Sequence, residues 1–256
     1  MKIVKSIREW KNAKPEKTVG FVPTMGALHR GHLSLVEEAR NNNSTVVVSI
    51  FVNPTQFNDK NDFHSYPNTW EKDISMLKNA GVDYVFSPEY KELYSDEYRY
   101  QISEKKMASV LCGESRPGHF DGVLTVVMKL LNIIKPQFAY FGKKDYQQYM
   151  LIRDMVATFF IETQIVGCDI IRETDGLAMS SRNLLLSEPQ RKTAPLLYKI
   201  LQQTSNVNEI KKQLAVVGFK VDYVEEFWQR RFAAAFLGKV RLIDNVPLGE
   251  TYDSCS

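Results

Sequence analysis

The chain carries four histidines, and two of them stand three residues apart in Pro23-Thr24-Met25-Gly26-Ala27-Leu28-His29-Arg30-Gly31-His32. At a helix start that spacing puts both rings on one face. The first turn of a helix already favours anions, through its free amides and its dipole. Imidazoles add donors that can meet charge as it develops on a leaving phosphate. The stretch from Met25 to His32 therefore reads as a site for a nucleotide phosphate. On spacing alone, a pair of surface histidines is the other reading.

Further along, four more segments mix turn residues with groups able to bond a ligand. Asn53-Pro54-Thr55-Gln56 is either plain turn chemistry or a Gln placed to bond a polar substrate. Arg116-Pro117-Gly118-His119 opens an apolar run, where His119 reads first as a capping or packing residue. In Gly142-Lys143-Lys144-Asp145, followed by Gln148, Lys144 can neutralise phosphate and Asp145 can bond a ribose or assist a metal. A solvated charge cluster is the bland alternative. Met179-Ser180-Ser181-Arg182 offers two hydroxyls and a guanidinium fork that matches phosphate geometry, unless it is only a hydrophilic linker.

These segments need elements to position them. Thr18 to Val22 reads as a strand and Gly31 to Arg40 as a helix, with Leu33, Val36 and Ala39 at helical spacing. Thr45 to Val52 is a continuous apolar run, as expected of a strand buried on both faces of a parallel sheet. Thr69 to Ala80 is a helix stopped by Gly81, and Val82 to Phe86 a third strand. Asp121 to Ile134 is a buried helix ending before Pro136, and Phe138 to Phe141 a strand. Asp145 to Phe159 is a helix and Gln164 to Ile171 a strand. No element is assigned between Tyr90 and Ser115. The alternation predicts an α/β fold with a Rossmann-like parallel sheet, and ligands outside the carboxyl ends of its strands.

Past Arg172 the texture changes. Glu173 to Asn183 is polar, and Ser187 with Gln190 forms a capping box around Pro189. Pro195 kinks or restarts that helix, and Asn208 to Val216 is another. Strands follow at Lys220 to Glu225 and Lys239 to Ile243. The expectation is an N-terminal domain over 1–171 and a smaller α+β domain over 172–256.

Composition narrows the partners. With 33 Lys and Arg against 30 Asp and Glu, a net charge of +3 suits an acidic small molecule and is too weak to argue for nucleic acid. Cys112, Cys168 and Cys255 are widely spaced, with no metal-ligand pattern, so reduced thiols are expected. No apolar run approaches the roughly 20 residues of a membrane span. A cytoplasmic protein is the simplest reading.

The histidine stretch resembles the HxGH signature of the nucleotidyltransferase superfamily, and the longer string PTMGALHxGHLxLV resembles the pantoate–β-alanine ligase (pantothenate synthetase) family. FVNPTQF, RPGHFDGVLTVVMKL, FGKKDYQQ and RETDGLAMSSRN are similar to that family's further motifs, in the same order. Lys143 stands where the family usually has Glu. The resemblance implies ATP-dependent condensation of pantoate with β-alanine through a pantoyl adenylate, with Mg²⁺ on the phosphates. It implies ATP contacts from Met25, Gly26, Ala27, Leu28, His29, Arg30, Gly31 and His32, and from Gly142, Lys143, Lys144 and Asp145. Ile171, Met179, Ser180, Ser181 and Arg182 complete the implied ATP set, and Gln56 and Gln148 would hold pantoate. His32, His29, Lys144 and Arg182 would be catalytic, with His32 a candidate proton donor. The family also implies a homodimer. A cytidylyltransferase-like enzyme shares the HxGH turn and is the alternative; a binding module without catalysis is a third reading. The segment Glu226 to Ala235, rich in Trp, Arg and Phe, is shorter than the family leads one to expect.

Overall fold

In a computed structural model, residues 1–13, 15, 18–58, 63–64, 66–203 and 206–249 are described. Cys255 lies outside them. The chain divides into two compact units, Met1–Asp169 and one beginning at Ile170, a break just before the boundary expected from the sequence. No helix among the described residues is long and apolar enough to cross a membrane.

The first unit is a six-stranded parallel sheet with helices: β1 (Lys2–Val4), α1 (Ile7–Ala13), β2 (Val19–Thr24), α2 (Arg30–Asn42), β3 (Thr45–Ile50), α3 (Trp70–Asn79), β4 (Tyr84–Phe86), α4 (His119–Ile134), β5 (Phe138–Gly142), α5 (Tyr146–Thr158) and β6 (Gln164–Cys168). The spatial order is β1-β4-β3-β2-β5-β6. The chain winds outward from β2 through β3 and β4, then returns to place β5 on the other side of β2. The direction of winding thus reverses between β2 and β5, which is where open α/β sheets bind ligands.

Core and register explain the element ends. Every residue of β3 is buried, which accounts for its unbroken apolar run. It stops at Ile50, short of the expected Val52, because its partner β2 ends at Thr24 and Thr24 pairs with Ile50. For the same reason β6 stops at Cys168, short of Ile171: its partner β5 ends at Gly142, opposite Cys168. Helix α2 turns Leu35, Val36 and Ala39 inward, onto a core shared with Val22, Val46, Val48 and Leu77. Helix α4 begins two residues early, at His119, because Gly118 supplies a φ of +78° just before it. Neither β1 nor α1 was expected. A three-residue charged edge strand leaves almost no periodic signal.

The second unit is an antiparallel meander, β7 (Lys220–Phe227), β8 (Arg230–Leu237) and β9 (Val240–Pro247), with the helices α6 (Glu188–Thr193), α7 (Leu196–Leu201) and α8 (Val207–Val216). The capping box at Ser187 and Gln190 is present, and Pro195 separates α6 from α7. Leu197, Leu201, Ile210, Leu214, Val224 and Leu242 form its core. The segment Glu226 to Ala235 comprises the end of β7, the turn of the β7–β8 hairpin and most of β8. Its turn residues Trp228 and Gln229 have φ of +46° and +54°.

Candidate active site

Three loops leave the carboxyl ends of the adjacent strands β3, β2 and β5, and they bring most of the expected residues together. The central loop, after β2, carries the histidines. His29 is the N-cap of α2. Its Nδ1 accepts from the Gly31 amide at 3.1 Å, and its own amide donates to His32 Nδ1 at 3.4 Å. A backbone N–H can only donate, so both Nδ1 atoms are unprotonated and each neutral ring carries its hydrogen on Nε2. The ring centroids are 4.1 Å apart. The pair is thus two neutral N–H donors held side by side.

Their electrostatics follow from this setting. Burial, then the Lys144 cation, pulls the His29 pKa down to about 4 against a partial opposing pull from Asp145. Burial and the neighbouring His29 pull His32 down to about 3. Charging either ring would bring a cation into a desolvated place already facing Lys144. Both are therefore neutral near pH 7 while no anion is bound.

The amides of the preceding turn are occupied. Gly26 donates to Thr24 Oγ1 at 3.2 Å. Ala27 and Leu28 donate to the two carboxylate oxygens of Asp73, at 2.9 and 2.8 Å. Gly26, Ala27 and Leu28 can therefore meet a ligand only with atoms other than their amide hydrogens. Arg30 is exposed on the first turn of α2.

After β5, Gly142 leads into a single 3₁₀ turn, Lys143–Asp145. Lys144 Nζ lies 3.7 Å from Asp145 Oδ2, and both act on the histidines. Lys143 pairs with the exposed Asp169 at 3.2 Å. Gln148 is half-buried in the first turn of α5.

Following β3, Pro54–Gln56 forms a 3₁₀ turn capped by Asn53. Asn53 Nδ2 donates to the Gly122 carbonyl at 3.1 Å, which fixes that amide's orientation. Its Oδ1 accepts from the Tyr94 hydroxyl at 3.0 Å. Asn53 Nδ2 also donates to Gln56 Oε1 at 3.2 Å. The Gln56 amide is thereby turned so that its nitrogen faces outward, toward Met25 Sδ at 3.0 Å. The Gln56 carbonyl accepts from His119 Nδ1 at 2.8 Å and from Arg116 Nη2 at 3.2 Å. Because the Arg116 guanidinium donates to His119 Nε2, His119 must carry its hydrogen on Nδ1. His119 is thus a buried packing residue behind Gln56. Asn53 and Tyr94 gave no functional signal of their own in the sequence; only the Asn-Pro turn marked the spot.

The remaining expected residues belong to the second unit. Arg172 and Ala178 form an isolated bridge, and the Met179 amide donates to the Ile171 carbonyl at 3.0 Å. Ser180 caps a 3₁₀ turn over Ser181–Leu185, its hydroxyl accepting from the Arg182 amide at 3.3 Å.

Known proteins match the chain along most of its length. The sequence model of pantoate-beta-alanine ligase matches residues 1–247. The chain belongs to the pantoate–β-alanine ligase family. Within it, a pantothenate synthetase of Bdellovibrio bacteriovorus is 53% identical over 235 residues, covering 92% of this chain and 94% of that protein. One of Coxiella burnetii is 47% identical over 252 residues, covering 97% and 98%. Among ligase structures, that of Francisella tularensis, complexed with beta-gamma ATP and beta-alanine, superposes with a TM-score of 0.93 at 45% identity over 97% of this chain and 98% of its own.

Proposed function

We propose that this chain condenses pantoate with β-alanine at the expense of ATP, through a pantoyl adenylate. The observation that carries the reading is the pair of Nε2–H imidazoles beside Lys144, at the point of sheet reversal, in a member of this family. A carboxylate is a poor acyl donor because its leaving group is poor, and adenylation supplies a better one. The pantoate carboxylate attacks the α-phosphorus, and the bond to the β-phosphate oxygen breaks to release pyrophosphate. The β-alanine amine then attacks the acyl carbon; AMP leaves with the electron pair and the amine loses a proton.

In this reading the protein works by positioning and by stabilising charge. His29 and His32 donate to the phosphate oxygens. A bound polyanion raises their proton affinity, which is how His32 could come to donate a proton to the leaving group. Lys144 and Arg182 neutralise phosphate charge, Ser180 and Ser181 donate to it, and Gly142, Lys143, Asp145, Ile171 and Met179 complete the nucleotide's surroundings. Gln56 presents its amide nitrogen to an oxygen of pantoate, with Gln148 as its companion.

Among the described residues, no three His, Cys, Asp or Glu side chains converge as a metal site. A Mg²⁺ carried on the nucleotide's phosphates would need few protein ligands, and Asp145, the carboxylate that acts on both histidines, is the residue that would meet it. When bound, it would supply charge neutralisation on the phosphates. A cytoplasmic homodimer belongs to the same reading.

The test is isotope exchange between pyrophosphate and ATP, with the amide product followed by mass spectrometry. Exchange should require pantoate, and His32→Ala should abolish most of it while keeping the fold. Exchange that ignores pantoate, or that prefers CTP, overturns the reading in favour of a cytidylyltransferase-like enzyme. No exchange and no product from folded protein leaves a binding module.

A further inference from the structure

The turn Met25–Leu28 is an unusual object to find under two catalytic imidazoles. Gly26 has φ +80° and Ala27 has φ +51°, so two consecutive residues stand in left-handed conformations, one of them with a side chain. A non-glycine residue there persists only where its surroundings hold it. The surroundings that do so come from helix α3, some 45 residues further along the chain. Asp73 is 1% exposed, yet among the described residues it forms no ion pair. Among the described residues its carboxylate bonds only to uncharged donors: Leu28 amide to Oδ1 at 2.8 Å, Thr69 hydroxyl to Oδ1 at 3.0 Å and Ala27 amide to Oδ2 at 2.9 Å. A Cβ on Gly26 would sit 3.1 Å from Asp73 Oδ2, so the carboxylate lies directly against the turn.

A buried carboxylate beneath a site that suits anions opposes binding by its charge. Its retention there is understandable if its two oxygens perform a task a neutral group cannot. Two adjacent amides need two acceptors on one rigid group, and a carboxylate offers both without any competing donor. Its place in the first turn of α3 helps to hold the charge, through that helix's dipole.

We infer that Asp73 is a positioning residue for the His29–His32 pair: by gripping the Ala27 and Leu28 amides it fixes the turn that sets where both imidazoles stand. The linkage runs through few atoms. Leu28 is held by Asp73, the next amide is that of His29, and that amide is the donor that fixes the tautomer of His32. Gly31, two residues past His29, fixes that of His29. Loosening the turn therefore loosens both rings. The lowered proton affinity of the two histidines comes first from burial, to which Lys144 adds at His29 and the neighbouring ring adds at His32.

The experiment reads the rings directly, because the catalytic consequence rests on the proposed function while the geometry does not. The full chain, labelled with ¹⁵N in its histidine rings, is compared with Asp73→Asn in the absence of ligands. The amide is isosteric but offers one acceptor and turns a donor on the other backbone N–H. Single His→Gln variants assign the His29 and His32 signals. The wild type should show the Nε2–H tautomer at both rings near neutral pH. Asp73→Asn should show averaging of the two tautomers and titration midpoints shifted up toward the ordinary imidazole range. Pantoate-dependent exchange should fall about 10- to 100-fold, the size expected of misplaced catalytic groups. Rings identical to wild type in folded Asp73→Asn overturn the inference, whatever happens to the rate. If the wild type shows no pantoate-dependent exchange, the proposed function fails and the ring signals still decide this point. If Asp73→Asn does not fold, Thr69→Ala takes its place: removing one donor from Oδ1 should give a smaller change in the same direction, and unchanged rings overturn the inference.

Discussion

Gly122 offers the sharpest test of how Gln56 is held. It lies in the first turn of α4, pressed against the 3₁₀ turn that carries Gln56. A Cβ at this position would meet the Thr55 carbonyl oxygen at 2.4 Å, the Thr55 carbonyl carbon at 2.6 Å and the Gln56 amide nitrogen at 2.7 Å. Ordinary contact begins near 3.4 Å, so the two backbones must separate by about 1 Å. Helix α4 is buried along most of its length and cannot yield. The three-residue turn must move instead, taking the Gln56 amide with it and straining the Asn53 bond to the Gly122 carbonyl. A displacement of about 1 Å in a substrate-positioning group costs on the order of 100-fold in rate, or ~2.7 kcal/mol. Overpacking adds about 1–3 kcal/mol of destabilisation, which lowers the melting temperature by roughly 2–10 °C in a chain of this size. The assay is the initial rate of AMP formation against pantoate concentration, at saturating ATP and β-alanine, with melting followed by circular dichroism. Gly122→Ala should lose kcat/KM for pantoate, while KM for ATP stays near wild type because the histidines and Lys144 sit on other loops. A folded Gly122→Ala with wild-type kcat/KM for pantoate would refute the argument that Gln56 is positioned from α4.

Asp244 is buried and binds Arg172 through two bonds of 2.7 and 2.9 Å, with the guanidinium 3.4 Å from the Tyr198 ring centre; Asp244→Ala leaves that cation uncompensated and should cost about 3–5 kcal/mol in urea denaturation. Folded His29 and His32 bind protons more weakly than in the unfolded chain, where the ordinary value is 6.5, so stability is fully present above 6.5 and falls as pH drops through 6.5 toward about 4 and about 3. Melting temperature should therefore decline steadily with acidification across that window, and less steeply in His32→Gln. Lys144→Met removes the second contributor to the low His29 pKa, so the His29 midpoint should rise in a ring-nitrogen titration; it should also cost about 10²- to 10³-fold in kcat, as loss of a charge-stabilising donor does.

Much of the first unit was readable because its central strands are buried on both faces and its helices present an apolar stripe. The run Thr45–Ile50 and the spacing of Val36 and Ala39 leave little choice of conformation. In the second unit β7 was readable as the strand from Lys220, but β8 and the turn that leads into it were not. Strand β8 is Arg230-Arg231-Phe232-Ala233-Ala234-Ala235-Phe236-Leu237, and an alanine-rich run does not look like a strand. Its turn uses Trp228 and Gln229 at positive φ, where an Asn-Gly or Gly pair would have announced a hairpin. For the site, residue type and spacing marked His29, His32, Lys144 and Gln56. They could not mark Asp73, Asn53 or Tyr94, whose roles arise only when distant parts of the chain meet. Nor could they show that the Ala27 and Leu28 amides point away from any ligand, since that depends on a carboxylate in another helix.

The placement of β5 beside β2 bears on how the protein comes into being. Strands β2, β3 and β4 are complete once Phe86 has been made, and they can pair at once. The other edge of β2 must wait for Phe138–Gly142. At ordinary translation rates of about 5–20 residues per second, the intervening stretch of roughly 50 residues takes about 3–10 seconds to emerge. Throughout that interval a largely apolar strand edge, at the heart of the future site, is open to any other unpaired strand nearby. The arrangement that creates the binding crevice thus also creates a few seconds of vulnerability in every newly made copy.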